Sequence, residues 1–205
     1  MAIKREQGWD DVKPFGQGNE FQRLPKGGYI CRMIMAEEKA DKNGNPMIHI
    51  AFDIIEGDYK NYFMDLYNRR KENADDPKSV KYPFEGQAWI PVLDYEDKKK
   101  NSRKFKGFCT ALEDSGQDIW TPDGELNLNV VKSAEIGVIF QDQEQEYNGK
   151  TFWKAIPWGF RSLESIATGD IFVPDDKPLD NSKYPSATDA DLPDSFSAAE
   201  DSIPF

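Results

Sequence analysis

Two Asn-Gly pairs, Asn43-Gly44 and Asn148-Gly149, each stand between runs that alternate large apolar and polar residues. Asn-Gly supplies the positive backbone angles that a tight two-residue hairpin needs, so each pair predicts two antiparallel strands. The first hairpin joins Tyr29–Ala36 to Met47–Ile55. In its second arm Ile48, Ile50, Phe52 and Ile54 share one face, with Met47, His49, Ala51 and Asp53 on the other. Pro46 marks where pairing begins, because it cannot donate to a central ladder. The second hairpin runs from Ala134 to Ile156, with Ile136, Val138 and Phe140 alternating before the turn.

Between the hairpins, residues 61–67 read as a third strand after the Gly57-Asp58 turn. Residues 68–100, punctuated by Pro77, Pro83 and Pro91, read as a long insertion holding one apolar island at Ala88–Leu93. Phe105, Phe108, Cys109 and Leu112 then recur at helical spacing, with Gly116 placed to end the helix. Three strands, an insertion, a helix and two strands follow the order of a five-stranded OB barrel, with its helix between strands 3 and 4. The expected organisation is an irregular arm over residues 1–28, the OB domain over 29–161 and an acidic tail over 162–205. Trp9, Phe15 and Phe21 in the arm are expected to pack on the body. Leu163, Ile166, Ile171 and Phe172 leave residues 163–173 able to pack there as well, whereas 175–202 hold too little apolar surface to order themselves.

The net charge of -11 matters by its location. Residues 162–205 carry ten acids against Lys177 and Lys183, leaving a net of only -3 on residues 1–161. A near-neutral body can hold a basic groove, because local potential steers a polyanion. Two separated cysteines, Cys31 and Cys109, read as reduced core thiols, and with His49 they are too few for a structural zinc site. No Walker glycine loop, HExxH or GxSxG occurs, and Asp75-Asp76 and Glu113-Asp114 read as surface acids. Neither an enzyme, nor a cofactor, nor a metal site is expected. No run of eighteen apolar residues occurs, and Met1–Glu6 lack the apolar stretch of an export signal, so no membrane partner is expected.

Binding a single strand without sequence choice requires rings for stacking beside cations for phosphate. Three stretches combine them. Residues 62–71 offer Phe63 and Tyr67 on one face, followed by Arg69, Arg70 and Lys71; the second hairpin offers Tyr147, Lys150, Trp153 and Lys154; and Lys98–Lys100 lead to Arg103, Lys104 and Lys106. Phe152 and Trp153 are expected on opposite faces, one of them in the core.

Glu200-Asp201-Ser202-Ile203-Pro204-Phe205 has the chemistry of a peptide ligand. The Phe ring fits an apolar pocket, a terminal carboxylate meets a cation, Pro204 limits the entropy lost, and the acids steer toward basic surfaces. This tip resembles that of bacterial single-stranded DNA-binding proteins, with Ser202 where an acid usually stands. The body is similar instead to phage-encoded single-stranded DNA-binding proteins of OB fold. The similarity rests on the first hairpin, the Phe105-Lys106-Gly107-Phe108 run through Gly116, and Gly137–Phe140 leading into the second hairpin. The resemblance implies a non-enzymatic protein that coats single-stranded DNA in phage replication, recombination and repair within the bacterial host cytoplasm. It also implies that Asp201, Ile203, Pro204 and Phe205 recruit replication and repair enzymes. It allows monomers, dimers and tetramers. Two competing readings are an OB-like adaptor that binds protein only, and a nuclease.

Overall fold

The computed structural model describes residues 22–94 and 96–179. Over these residues the chain is mostly β, with strands β1 (Gly27–Ala40), β2 (Pro46–Ile54), β3 (Gln87–Pro91), β4 (Glu135–Tyr147) and β5 (Lys150–Arg161). They form one antiparallel sheet in the order β3-β2-β1-β4-β5. Helices α1 (Tyr62–Glu72), α2 (Arg103–Glu113), α3 (Leu128–Val131) and α4 (Leu163–Thr168) accompany it, with a 3-10 turn at Phe84–Gly86.

Both Asn-Gly hairpins stand where the sequence places them. Gly44 takes φ 79 in the first turn, and Asn148 and Gly149 take φ 51 and 71 in the second. The third strand does not. Residues 61–67 are not a strand; Tyr62–Glu72 form α1, and the apolar island of the supposed insertion supplies β3. The cause is a buried acid. Asp53 at the end of β2 accepts hydrogen bonds from Phe63 N at 3.0 Å and Met64 N at 3.0 Å, and from its neighbour Ile54 N at 2.8 Å. It thereby satisfies first-turn donors that a helix otherwise leaves orphaned. Burial raises the Asp53 pKa above the ordinary carboxylate value, and the three N–H donors oppose that rise. At the other end Arg69, Arg70 and Lys71 occupy the last turn, the sign that a helix dipole favours.

The sheet curls without closing. β1 pairs with β4 only over Gly27–Arg32, and β1 goes on with β2 while β4 goes on with β5. The inner face carries Cys31, Met33, Ile48, Ile50, Phe52, Ile54, Ile90, Ile136, Val138 and Phe140, all essentially inaccessible to solvent. Two helices fill the curl. Phe63 of α1 lies against Phe140 and Phe52, at ring separations of 5.9 and 6.1 Å. Phe108 of α2 meets Phe160 edge-on at 5.0 Å, and Ser102 caps α2 by accepting from Phe105 N.

The folded body also runs beyond Arg161. α4 and Ile171 lie across Gly28 and Gly137, where an added Cβ would come within 2.4 to 2.8 Å of Ile166 or Ile171. Further on, Lys177 pairs with the β4 edge that β1 has left. Lys177 N donates to Asp142 O at 2.8 Å, and Glu144 N donates to Lys177 O at 2.9 Å. Gly137→Ala should therefore cost about 1–3 kcal/mol of stability, the range for overpacking a tight site. Measured by denaturant melts, that penalty should shrink in an Ile166→Ala background; equal penalties in both backgrounds would contradict the docking of α4.

Candidate nucleic-acid interface

The 3-10 turn and β3 bring together rings from distant parts of the chain. Trp89 of β3 stands directly opposite His49 of β2, and their rings stack at 4.4 Å with 12° between planes. Phe84 stacks on the same indole at 5.5 Å. The imidazole is fixed from both sides, with Nδ1 3.1 Å from Glu37 Oε1 and Nε2 2.7 Å from Gln87 Oε1. Gln87 donates its amide hydrogens to the carbonyls of Tyr82 and Pro83. Its oxygen therefore faces His49, and Nε2 is the donor in that bond.

Beside Phe84, Glu85 meets Lys154 of β5 at 2.6 Å, which ties the turn before one edge strand to the other edge strand. The Lys154 ammonium also lies 5.5 Å from the Phe152 ring. The result is a band running from Phe152 through the Lys154–Glu85 bridge to Phe84, Trp89 and His49. It spans the opening between β5 and β3. The β4–β5 hairpin continues the band outward with Tyr147, 71% exposed, and Trp153, 37% exposed.

The sequence-derived candidates divide accordingly. Tyr147, Lys150, Trp153 and Lys154 all lie on β4–β5, though Lys154 spends its charge on Glu85. Phe152 and Trp153 were expected to split between core and surface; both are more than a third exposed. Tyr67 is half-buried against Tyr82 at 5.6 Å, with the Lys71 ammonium 5.1 Å from its ring, so the end of α1 joins the same turn. Arg69 and Arg70 are exposed in that last helical turn. Phe63 is a correction: it is fully buried among Phe52, Tyr62 and Phe140 and offers no face to a base. Lys104 belongs to a separate surface at the start of α2; the residue is exposed, yet desolvation lowers its ammonium pKa. Asp201, Ile203, Pro204 and Phe205 lie outside the described residues, as do Trp9, Phe15 and Phe21.

Phe84 and Trp89 escaped the sequence reading, and His49 was placed on a strand face without a role. The signal for Trp89 is the alternation of Gln87, Trp89 and Pro91 against Ala88 and Ile90, within the apolar island at Ala88–Leu93 that was read as part of an insertion. Cys31 and Cys109 are buried, and desolvation pushes the Cys109 thiol up to about 12, the environment of an unreactive core cysteine. Among the described residues, no helix is long and apolar enough to cross a membrane, and no three His, Cys, Asp or Glu side chains are grouped to hold a metal ion.

Comparison with known proteins adds little to the geometry. Residues 15–85, under half of the chain, match a family described as "Protein of unknown function (DUF669)". No curated protein matches the chain.

The Lys154–Glu85 pair bridges the opening, with side chains 34% and 13% exposed. A double-mutant cycle with Lys154→Met and Glu85→Gln should give a stability coupling of about 1 kcal/mol, above the usual value for an exposed pair. A coupling indistinguishable from zero would contradict its bridging role.

Proposed function

We propose that this chain is a sequence-independent single-stranded DNA-binding protein of the phage type, built on a partly open OB barrel. In this reading it serves DNA replication, recombination and repair in a bacterial host's cytoplasm and recruits partner enzymes through Asp201, Ile203, Pro204 and Phe205. The observation that carries the reading is the band of rings from Phe152 to His49. Strand order β3-β2-β1-β4-β5 with α2 between the third and fourth strands is that of an OB barrel left open between its third and fifth strands. In OB folds the face of strands 2 and 3, with the loops joining strands 1–2 and 4–5, is where oligonucleotides lie. The band occupies that face and reaches the β4–β5 hairpin.

Chemistry supports the same reading. Stacking on rings is tolerant of sequence because every base has a π-face, and cations at Arg69, Arg70, Lys71 and Lys150 supply phosphate contacts. The β4 arm of the hairpin carries Asp142, Glu144 and Glu146. That acidity favours the alternative, an adaptor binding protein alone.

Oligo-dT titration followed by tryptophan fluorescence separates the two, using the full chain and a chain ending at Leu179. Truncation at Arg161 would strip α4 and the Lys177 pairing from the sheet. The expected result is quenching, with affinity that falls steeply as salt rises. Phe152→Ala and Trp153→Ala should each weaken binding by about 5- to 150-fold, corresponding to about 1–3 kcal/mol per stacked base. Absence of binding at low salt by the chain ending at Leu179 would overturn the reading in favour of the adaptor.

A further inference from the structure

Beyond the His49–Trp89 pair the same sheet face continues to Met47 of β2, which stands opposite Pro91 of β3. There, about 7 Å further along the strands, the surface opens into a groove of about 420 Å³. Met47, Ile48 and Val92 line it from the end of the sheet, Phe105 from α2, and Trp120 and Leu126 from the loop that follows α2. That loop is braced. Trp120 and Leu126 form an isolated antiparallel bridge, and Thr121 N donates to Glu125 O at 2.8 Å. The Trp120 indole donates to Glu113 Oε1 at 2.7 Å and its ring meets Phe105 edge-on at 6.5 Å, yet the residue stays 36% exposed. An accessible ring already held in place loses little entropy when a base stacks on it.

Cations stand out into solvent beside the groove. Leu93 bridges Asn101, Asp94 N donates to Lys100 O at 2.9 Å and Ser102 N donates to Val92 O at 2.9 Å, so the chain passes from β3 to α2 through a closed turn. Lys98, Lys99 and Lys100 belong to this turn and Arg103, Lys104 and Lys106 to α2; all six are exposed. Lys100 pairs with Asp97 at 2.9 Å, and among the described residues the other five make no ion pair. The turn also lies near the tip of the first hairpin. Asp41 there has its carboxyl pKa lowered chiefly by hydrogen bonds from Asn45, and also by the charge of Lys98. Acids are present too: Glu38 lines the groove, and Asp123 and Glu125 flank its Gly124. They leave the Lys98–Lys106 side as the one fit for phosphate.

We propose that this groove is a second nucleic-acid segment, off the sheet face and centred on Trp120. A strand leaving the Phe84–Trp89–His49 band runs past Met47 and stacks a base on Trp120, with its phosphates beside Lys98, Lys99 and the cations of α2. The assignment rests on the reading of the chain as a single-strand binder, and it lengthens the stretch of strand that one molecule covers. Two observations favour a nucleic acid over an acidic peptide. The groove continues the band along one sheet face, and its cations are separate and exposed, so a phosphate chain meets them one by one.

Titration of the full chain with oligo-dT of about 4 and about 16 nucleotides, the span of site sizes for one OB fold, tests this. Trp120→Ala should weaken binding of the long strand by about 5- to 150-fold, the worth of one stacked base, and leave the short strand unchanged. Trp120→Phe keeps a ring and should retain most of the long-strand affinity. Lys98→Gln combined with Lys99→Gln should reduce the salt slope of long-strand binding by about 1.4, the loss of two phosphate contacts. Equal losses at both lengths would mean that Trp120 acts through the fold, and unchanged long-strand binding would leave the band as the whole site. Either result overturns the proposal while the single-strand reading stands. If the unaltered chain binds neither length, both fall together. The Trp120 indole N–H resonance, assigned by its loss in Trp120→Phe, should move with the long strand. Movement with an Asp- and Glu-rich peptide bearing one Phe, and with neither oligonucleotide, would make the groove a protein-docking site and also overturn the proposal.

Discussion

The carboxylate of Asp53 decides the shape of this molecule. It sits at the end of the most hydrophobic strand, almost wholly buried, and turns its oxygens onto the amides of Phe63 and Met64. A buried carboxylate is tolerable only when hydrogen-bonded, and helix-start amides are strong donors to it. The arrangement is reciprocal, since the acid is satisfied by the helix and the helix is started by the acid. With α1 fixed there, Phe63 enters the core against Phe52 and Phe140, and residues 61–72 cannot pair with β2. β2 pairs instead with the short β3, which begins fifteen residues after α1 ends.

That substitution leaves the sheet open, and the opening defines the surface. α1, the Phe84–Gly86 turn and the Lys154–Glu85 pair occupy the space between β5 and β3, so rings from both edges are held across one gap. A closed ladder would have spent those edges on backbone pairing. The open one has Phe84, Trp89 and His49 stacked face to face and fixed from behind by Gln87 and Glu37. Phe84 and His49 both stack on the Trp89 indole, so in the proposed reading new stacking falls to Phe152, Tyr147 and Trp153.

Local signals were legible in the sequence and non-local ones were not. Asn-Gly turns and alternation located β1, β2, β4 and β5, and helical spacing located α2, because each depends on residues within one element. Tyr62–Tyr67 misled for a definable reason. Their aromatics favour strands, and Phe63 and Tyr67, four apart, share a face in a strand and a helix alike. The deciding group, Asp53, lies ten positions upstream and reads as an outward strand residue. Hence Phe63, read as a stacking ring, is core, while Trp89 and Phe84 were hidden in an apparent insertion. Ile166 and Ile171 did announce their packing, but the stretch from 175, expected not to order itself, is a correction: backbone pairing at Lys177 carries the folded body on to Leu179.

In the proposed function the open edge, lined by rings, is the working surface, and the acidity of the chain lies mainly after Arg161. Photo-cross-linking of oligo-dT to the full chain, followed by mass spectrometry of the adducts, tests this most directly. Adducts should map to residues 147–154 and 84–89, on the two sides of the Lys154–Glu85 bridge. Adducts confined to Trp158 and Phe172 beside α4, or to no part of the β2–β3 face and the β4–β5 hairpin, would contradict it.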